Sequence, residues 1–279
     1  SAIFGALVPV LVLGVVYRFT QRWGLALLSG LFVLTDGLFL VESRFGLINV
    51  FLVAFGFVAQ IFLLSGLERQ GIARTSMLSL SGIMLGASAS VKWNGLGFTL
   101  MFFLLGIVVW AIALIFPQKL KELGVLAEIT NLRWWHYLLC FVFMPITMYV
   151  VQWIPLLMLN SGGTPNQEGW GAIASFGQSF VAVHKHIIWW HNSAEVVQGD
   201  ALAPVHPYCS SWASWAVLAR PINYFFNGNE DKWIDIHALG NPILWWLSTA
   251  SIVGLSVWGL WRFQVITAYV LLGYAANYL

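Results

Sequence analysis

The sequence predicts an all-α polytopic membrane protein, and three observations carry that prediction: 59% of the residues are hydrophobic, only 9% are charged, and the mean hydropathy is +0.81. A soluble core of this length needs far less apolar sequence. Apolar runs mark eight expected spans, near residues 2–17, 24–42, 45–66, 77–91, 95–116, 134–158, 242–261 and 264–279. Residues 160–241, between the sixth and seventh, are polar and contain Gly and His, and a connection of that length points to function. The chain therefore divides into six spans over 1–159, a loop with interfacial helices over 160–241, and two spans over 242–279. It opens Ser1-Ala2-Ile3 without Met or a basic leader and stops inside an apolar run at Asn277-Tyr278-Leu279. We expect a longer parent on both sides.

Orientation follows from Lys and Arg. With Ser1 outside, the short inner loops hold Arg18, Arg22, Arg69, Arg74, Lys119, Lys121, Arg133 and Arg262 against Glu68, Glu122 and Glu128, as cytoplasmic loops do. The long loop, with Glu168, Glu195, Asp200, Glu230, Asp231 and Asp235, is then extracytoplasmic. Cys140 and Cys209 fall on opposite sides, so no internal disulfide is expected. The second span, rising from Trp23, lifts Asp36 by about 20 Å into the far half of a bilayer. The fourth, read as starting at 77, is short at about 22 Å and leaves Lys92 below the outer surface. Its small-residue end, Gly86 to Ser90, lets helices approach closely. The linker 117–133 alternates Leu120, Leu123, Val125, Leu126 and Ile129 with Lys and Glu, the pattern of a segment lying along the surface. Residues 170–190 read as a helix at the outer interface.

The stretch TDGLFLVESRFGLINVFL, residues 35–52, organises the rest because it sets Asp36, Glu42 and Arg44 into apolar sequence, where charge is costly and marks function. SASVKWNG at 88–95 and HPYCSSWASWAVLARP at 206–221 reach the same surface. Arg44, Lys92 and Arg220 together suit a phosphate; as isolated residues they read as snorkelling anchors. Asp36 is a second-rank candidate base, with pairing to Arg44 or capping of a helix end as its structural reading. His184, His186, His191 and His206 lack metal-site spacing, so no metal is expected. His206 stands apart, opening a polar-aromatic cluster suited to a phosphate or sugar. No basic patch suggests nucleic acid, and no P-loop, dinucleotide glycine motif or GxSxG is present, so no cofactor is expected. An enzyme of this kind takes its energy from an activated, lipid-linked substrate.

DGLFLVESRFGLINVFL, GASASVKWNGLGF, HPYCSSWASWAVLARP and ALGNPILWW, in this order, resemble the protein O-mannosyltransferase family of GT-C membrane glycosyltransferases. The resemblance covers nearly the whole chain and implies transfer of mannose from a polyprenyl-phosphate or dolichyl-phosphate carrier to Ser or Thr hydroxyls of secreted or membrane proteins, on the extracytoplasmic face. It implies that the eight spans are the second to ninth of about eleven. Residues 160–241 leave no room for the large MIR domain of eukaryotic members, so a bacterial member in the plasma membrane is expected. The family's acidic Asp-Glu pair, whose Asp is the expected base, would precede Ser1. Asn49 stands where the family usually has Asp, and Ala213 where it has Pro.

The resemblance implies an inverting displacement in which Arg44, Lys92 and Arg220 hold the donor phosphate while Trp93, His206, Tyr208 and Glu42 shape the sugar and carrier pocket. Two alternatives stay open from the sequence. One is another GT-C transferase, such as a lipid A aminoarabinose transferase; the other is a transporter, although charges gathered at one surface fit that less well.

Overall fold

The computed structural model describes residues 1–159, 170–192, 197–198, 201–202, 212–219, 222–229, 232–261 and 264–278. They form two compact units, Ser1–Thr147 with Ser210–Leu279, and Met148–Cys209.

The first unit begins with α1 (Ala2–Thr20) and α2 (Trp23–Leu34), which turn back on each other at Gln21, where φ of 52° lets the backbone N–H reach Tyr17 O at 2.7 Å. After Thr35 the chain breaks, and α3 (Gly37–Arg44) leaves at 58° to α2. The next helix, α4 (Asn49–Leu67), carries the most buried surface, and α5 (Gly71–Val91) packs along it. Two buried serines fasten this pair: Ser81 Oγ donates to Ala59 O and Ser88 Oγ to Leu52 O, both at 2.9 Å. Away from water, interhelical bonds of this kind contribute about 0.6 kcal/mol each. A 3₁₀ turn at Trp93–Gly95 leads into α6 (Leu96–Ile115).

A 3₁₀ stretch, Pro117–Asn131, follows and is interrupted at Gly124, whose φ of 55° and ψ of −131° suit a residue without Cβ. Beyond it come α7 (Trp134–Leu138), a π turn (Leu139–Phe143) and α8 (Met144–Val151). The later part of the unit holds α11 (Trp212–Trp215), then α12 (Pro242–Trp261) and α13 (Val265–Tyr278). Residues after α11 are tied to α12 by Thr249 Oγ1 to Ala216 O at 2.5 Å and Trp246 Nε1 to Val217 O at 2.8 Å. At the end where α1 and α4 finish, Arg18 pairs with Glu68 at 2.9 Å and buried Arg74 with Glu128 at 2.8 Å.

In the second unit α9 (Trp153–Leu159) lies against α10 (Trp170–Asn192). His184 is the fastener: its Nδ1 lies 2.7 Å from Phe180 O and its Nε2 2.8 Å from Tyr149 Oη, with the Trp153 ring at 5.1 Å.

The protein is an integral membrane protein of the all-α class, and helices occupy every position where a span is expected. Among the described residues five are long and apolar enough to cross a membrane, and the bent α2–α3 pair makes a sixth. The remaining two expected spans differ in kind. With 14 residues, α13 rises only about 21 Å. The fourth expected span is not the short helix of 77–91, because α5 has 21 residues and rises about 32 Å. Shortness therefore does not sink Lys92 below the surface; polar Arg74, Thr75 and Ser76 extend the helix, with Arg74 paired to Glu128.

Three further differences are physical. The run 24–42 is two helices, so Asp36 and Arg44 do not share one. In the 117–131 stretch Leu123, Leu126 and Ile129 are buried on the protein's own core, so its apolar side is used by packing rather than by lipid. The long connection contains antiparallel pairs as well as α10: β1 (Val197–Gln198) with β2 (Ala201–Leu202), and β3 (Ile222–Asn229) with β4 (Lys232–Ala238).

Close helix approach makes one position decisive. A Cβ built on Gly82 would overlap the Cys140 carbonyl and lie 2.8 Å from Met144 Cβ, whereas one built on Gly106 meets nothing within 4 Å. Gly82→Val should lower stability by about 1–3 kcal/mol, as overpacking does, while Gly106→Ala leaves it unchanged or raises it. Thermal unfolding of the two purified variants checks this.

Candidate functional site

Asp36 stands at the break that redirects the second span. It is buried, and both oxygens are used: Oδ1 accepts the Leu38 N–H at 2.8 Å, capping α3, and Oδ2 accepts the indole N–H of Trp245 at 2.7 Å. Burying a carboxylate is tolerable only with such donors. Two glycines let the segments meet. A Cβ on Gly37 would lie 2.6 Å from Leu239 O, and one on Gly240 would overlap the Trp245 indole. Asn241 then starts α12 by accepting the Ile243 N–H at 3.2 Å. Of the two structural readings of Asp36, capping of a helix end is the one made; pairing with Arg44 is not, and its other partner is a tryptophan 209 positions away.

At the other end of α3, Glu42 is 4% exposed and its Oε1 accepts Asn49 Nδ2 at 2.9 Å. The amide at 49 donates where a carboxylate would repel, so Asn49 joins the end of α3 to the first residue of α4. Ser88 reaches Leu52, almost one turn further along α4, so the ends of α3 and α5 flank the same first turn. Arg44 closes α3, and Lys92 follows α5 in extended conformation, its carbonyl accepting the Gly95 N–H at 2.8 Å. Gly95 must lack a side chain, since a Cβ would overlap the Ser88 carbonyl. Both cations are exposed, and among the described residues neither makes an ion pair or a side-chain hydrogen bond. Trp93, in the 3₁₀ turn, directly follows Lys92 and is partly buried. His206, Tyr208 and Arg220 lie outside the described residues, as does Cys209.

Two cavities adjoin these elements. One, of about 530 Å³, opens at the α2–α3 break between Asp36, Trp245, Ser248 and Tyr274. Another, of about 680 Å³, lies among α1, α4, α6 and α13, with Asn94 and Asn277 in its wall and the buried hydrogen bond from Tyr269 to Gln60 Oε1 beside it. Of the histidines weighed for a metal, His184 is committed to Tyr149 and Phe180, and His186 stacks on Trp189 at 5.6 Å. Among the described residues no cluster of three His, Cys, Asp or Glu side chains forms.

Sequence reasoning passed over Trp245, Gly240 and Asn241, although they sit in ALGNPILWW. The available signal was Asp36 itself: a carboxylate in apolar sequence demands donors, and an indole N–H is one that apolar sequence supplies. Gln60 and Tyr269 had a similar signal as polar groups within apolar helices.

Comparison with known proteins bears on these residues. Residues 1–158 match the family described as Dolichyl-phosphate-mannose-protein mannosyltransferase, and residues 176–279 match the C-terminal four TMM region of protein-O-mannosyltransferase. The chain is similar to the Polyprenol-phosphate-mannose--protein mannosyltransferase of Corynebacterium glutamicum, with 26% identity over 94% of this chain and 55% of the relative. A protein of the same description from Mycolicibacterium smegmatis is 23% identical over 100% of this chain and 59% of its own length. Dolichyl-phosphate-mannose--protein mannosyltransferase 1 of Saccharomyces cerevisiae is 32% identical over 38% of this chain and 14% of its own. The chain thus spans little more than half the length of the bacterial relatives, and no solved structure gives a significant match. With more than half of its residues matched by the first of these families, the chain belongs to the protein O-mannosyltransferases.

Proposed function

We propose that the protein containing this chain transfers mannose from a polyprenyl-phosphate carrier to Ser and Thr hydroxyls of secreted or membrane proteins, at the extracytoplasmic face of a bacterial plasma membrane. The relatives' descriptions name the donor class and the protein acceptor. The observation in this chain that carries the reading is that Arg44 and Lys92 end the two helices flanking the first turn of α4, exposed and free of ion pairs among the described residues.

In the reaction the acceptor oxygen attacks the anomeric carbon, the bond from that carbon to the phosphate oxygen breaks, and its electron pair leaves with the phosphate. Arg44, Lys92 and Arg220 stabilise the charge that develops there. The hydroxyl proton passes to a carboxylate. Because both oxygens of Asp36 already accept hydrogen bonds, this role is assigned to the Asp-Glu pair that the family resemblance puts ahead of Ser1. Glu42, Trp93, His206 and Tyr208 are assigned to the sugar and carrier side. The extracytoplasmic placement rests on the basic inner loops.

Two tests follow from this reading. In the full-length protein, Arg44→Met and Lys92→Met should each slow mannose transfer to a Ser/Thr peptide by about 30- to 800-fold, a barrier increase of roughly 2–4 kcal/mol. Neither side chain is bonded to the protein among the described residues, so membrane expression should stay normal; near-normal turnover in both variants would remove the phosphate site. For sidedness, Gly163→Cys and Gln118→Cys in a Cys209→Ser background should react oppositely with an impermeant thiol reagent. Labelling of both from the outside would refute the orientation.

A further inference from the structure

A third cavity, a groove of about 450 Å³, runs along α6 toward the end of the first unit that holds the Arg18–Glu68 and Arg74–Glu128 pairs, away from Lys92. Phe102, Ile107, Trp110 and Leu114 form one wall, with Leu132 and Tyr137 across from them. The polar atoms of its aromatic residues are turned onto the protein: Trp110 Nε1 donates to Tyr137 Oη at 3.0 Å, and Tyr137 Oη donates to Ile129 O at 2.5 Å. What faces the groove is therefore hydrocarbon. Ile107 and Leu114 are 64% and 77% exposed, so the groove opens outward. From Phe102 to Leu114 the helix rises about 18 Å, close to one leaflet of a hydrocarbon core of about 30 Å.

Cations follow this apolar track beyond the end of α6. The Lys119 ammonium lies 5.6 Å from the ring of Phe116, the residue that follows α6, and Arg133 directly follows Leu132 of the groove wall. Both are exposed and make no ion pair among the described residues, and Lys121 is exposed nearby in sequence. Glu128 is engaged by Arg74, which leaves Glu122 against these three cations.

We propose that this groove binds one anionic phospholipid, its acyl chain along α6 and its phosphate at Lys119 and Arg133. An acyl chain matches the groove in chemistry and length, and a basic rim beside membrane-spanning helices selects an anionic headgroup. The site stands independently of the proposed mannosyl transfer, because its cations lie beyond the opposite end of α6 from Lys92.

The test uses native mass spectrometry of the purified full-length protein loaded with phosphatidylglycerol or phosphatidylethanolamine of identical chains. Phosphatidylglycerol should be retained preferentially, by about fivefold for each cation that contributes. Lys119→Gln with Arg133→Gln should remove the preference while a chain is still held. Gly106→Leu, whose Cβ enters open space in the groove wall, should release both lipids without lowering the unfolding temperature. Equal retention of the two lipids by the wild type would overturn the proposal, as would unchanged retention by Gly106→Leu. Preferential retention of polyprenyl phosphate over phosphatidylglycerol would also overturn it, giving the groove to the donor.

Discussion

A carboxylate placed among apolar helices must have its oxygens satisfied, and in this protein that constraint fixes the site. Asp36 accepts from Leu38 on its own helix and from Trp245 on α12. The first bond starts α3 at 58° to α2; the second binds the break to a helix far along the chain. Losing either donor would leave a buried charge short of a partner, at a cost of about 1–3 kcal/mol or more. The direction of α3 is thereby set, and with it the positions of Glu42 and Arg44 at its other end. Asp36 serves any chemistry here by holding that short helix in place.

The close contacts around Asp36 depend on missing side chains as much as on present ones. Gly37 passes the Leu239 carbonyl, Gly240 lies under the Trp245 indole, and Gly95 folds against the Ser88 carbonyl. Gly37 and Gly95 let two backbones approach, and Gly240 makes room for the Trp245 indole, where hydrocarbon cannot supply a hydrophobic driving force between helices and packing has to hold them instead. Gly37 directly follows Asp36, Gly240 lies against the indole that bonds it, and Gly95 follows Lys92 by three residues. Close approach of this kind also occurs away from the candidate site, as at Gly82 against Cys140, so these three positions belong to a packing scheme that runs through the unit.

Much of this was legible in the sequence, and the limits have physical causes. Hydropathy reads helix positions well because a membrane helix satisfies its own backbone and must be apolar over its length. It reads poorly where the protein itself is the solvent. Ser81 and Ser88 of α5 face α4, and Leu123 and Leu126 of 117–131 face the core, so neither surface is what a lipid-facing pattern predicts. The charges of 35–52 were visible as unusual, but the break beside Asp36 was not, since Thr35 and Asp36 interrupt the apolar run without a proline. Partners 209 positions apart leave no periodic trace at all. The resemblance brought Trp245 into view as part of a motif, and only the fold gave it a bond to make.

The contrast between Arg74 and Arg44 says why one arginine is structural and the other is available. Arg74, at 9% exposure, gives its donors to Glu128, to Leu67 O and to Arg69 O, because a desolvated guanidinium cannot be left unsatisfied. Arg44 is hydrated at the end of α3 and keeps its fork of donors. The nearest acidic side chain in sequence, Glu42, does not take them: its Oε1 is held by Asn49 on the next helix. An internal Arg44–Glu42 pair would have to be broken before an anion could bind, subtracting its energy from the affinity. By holding Glu42 toward α4, Asn49 leaves the guanidinium free of that competition, and its neutral amide adds no second negative charge there.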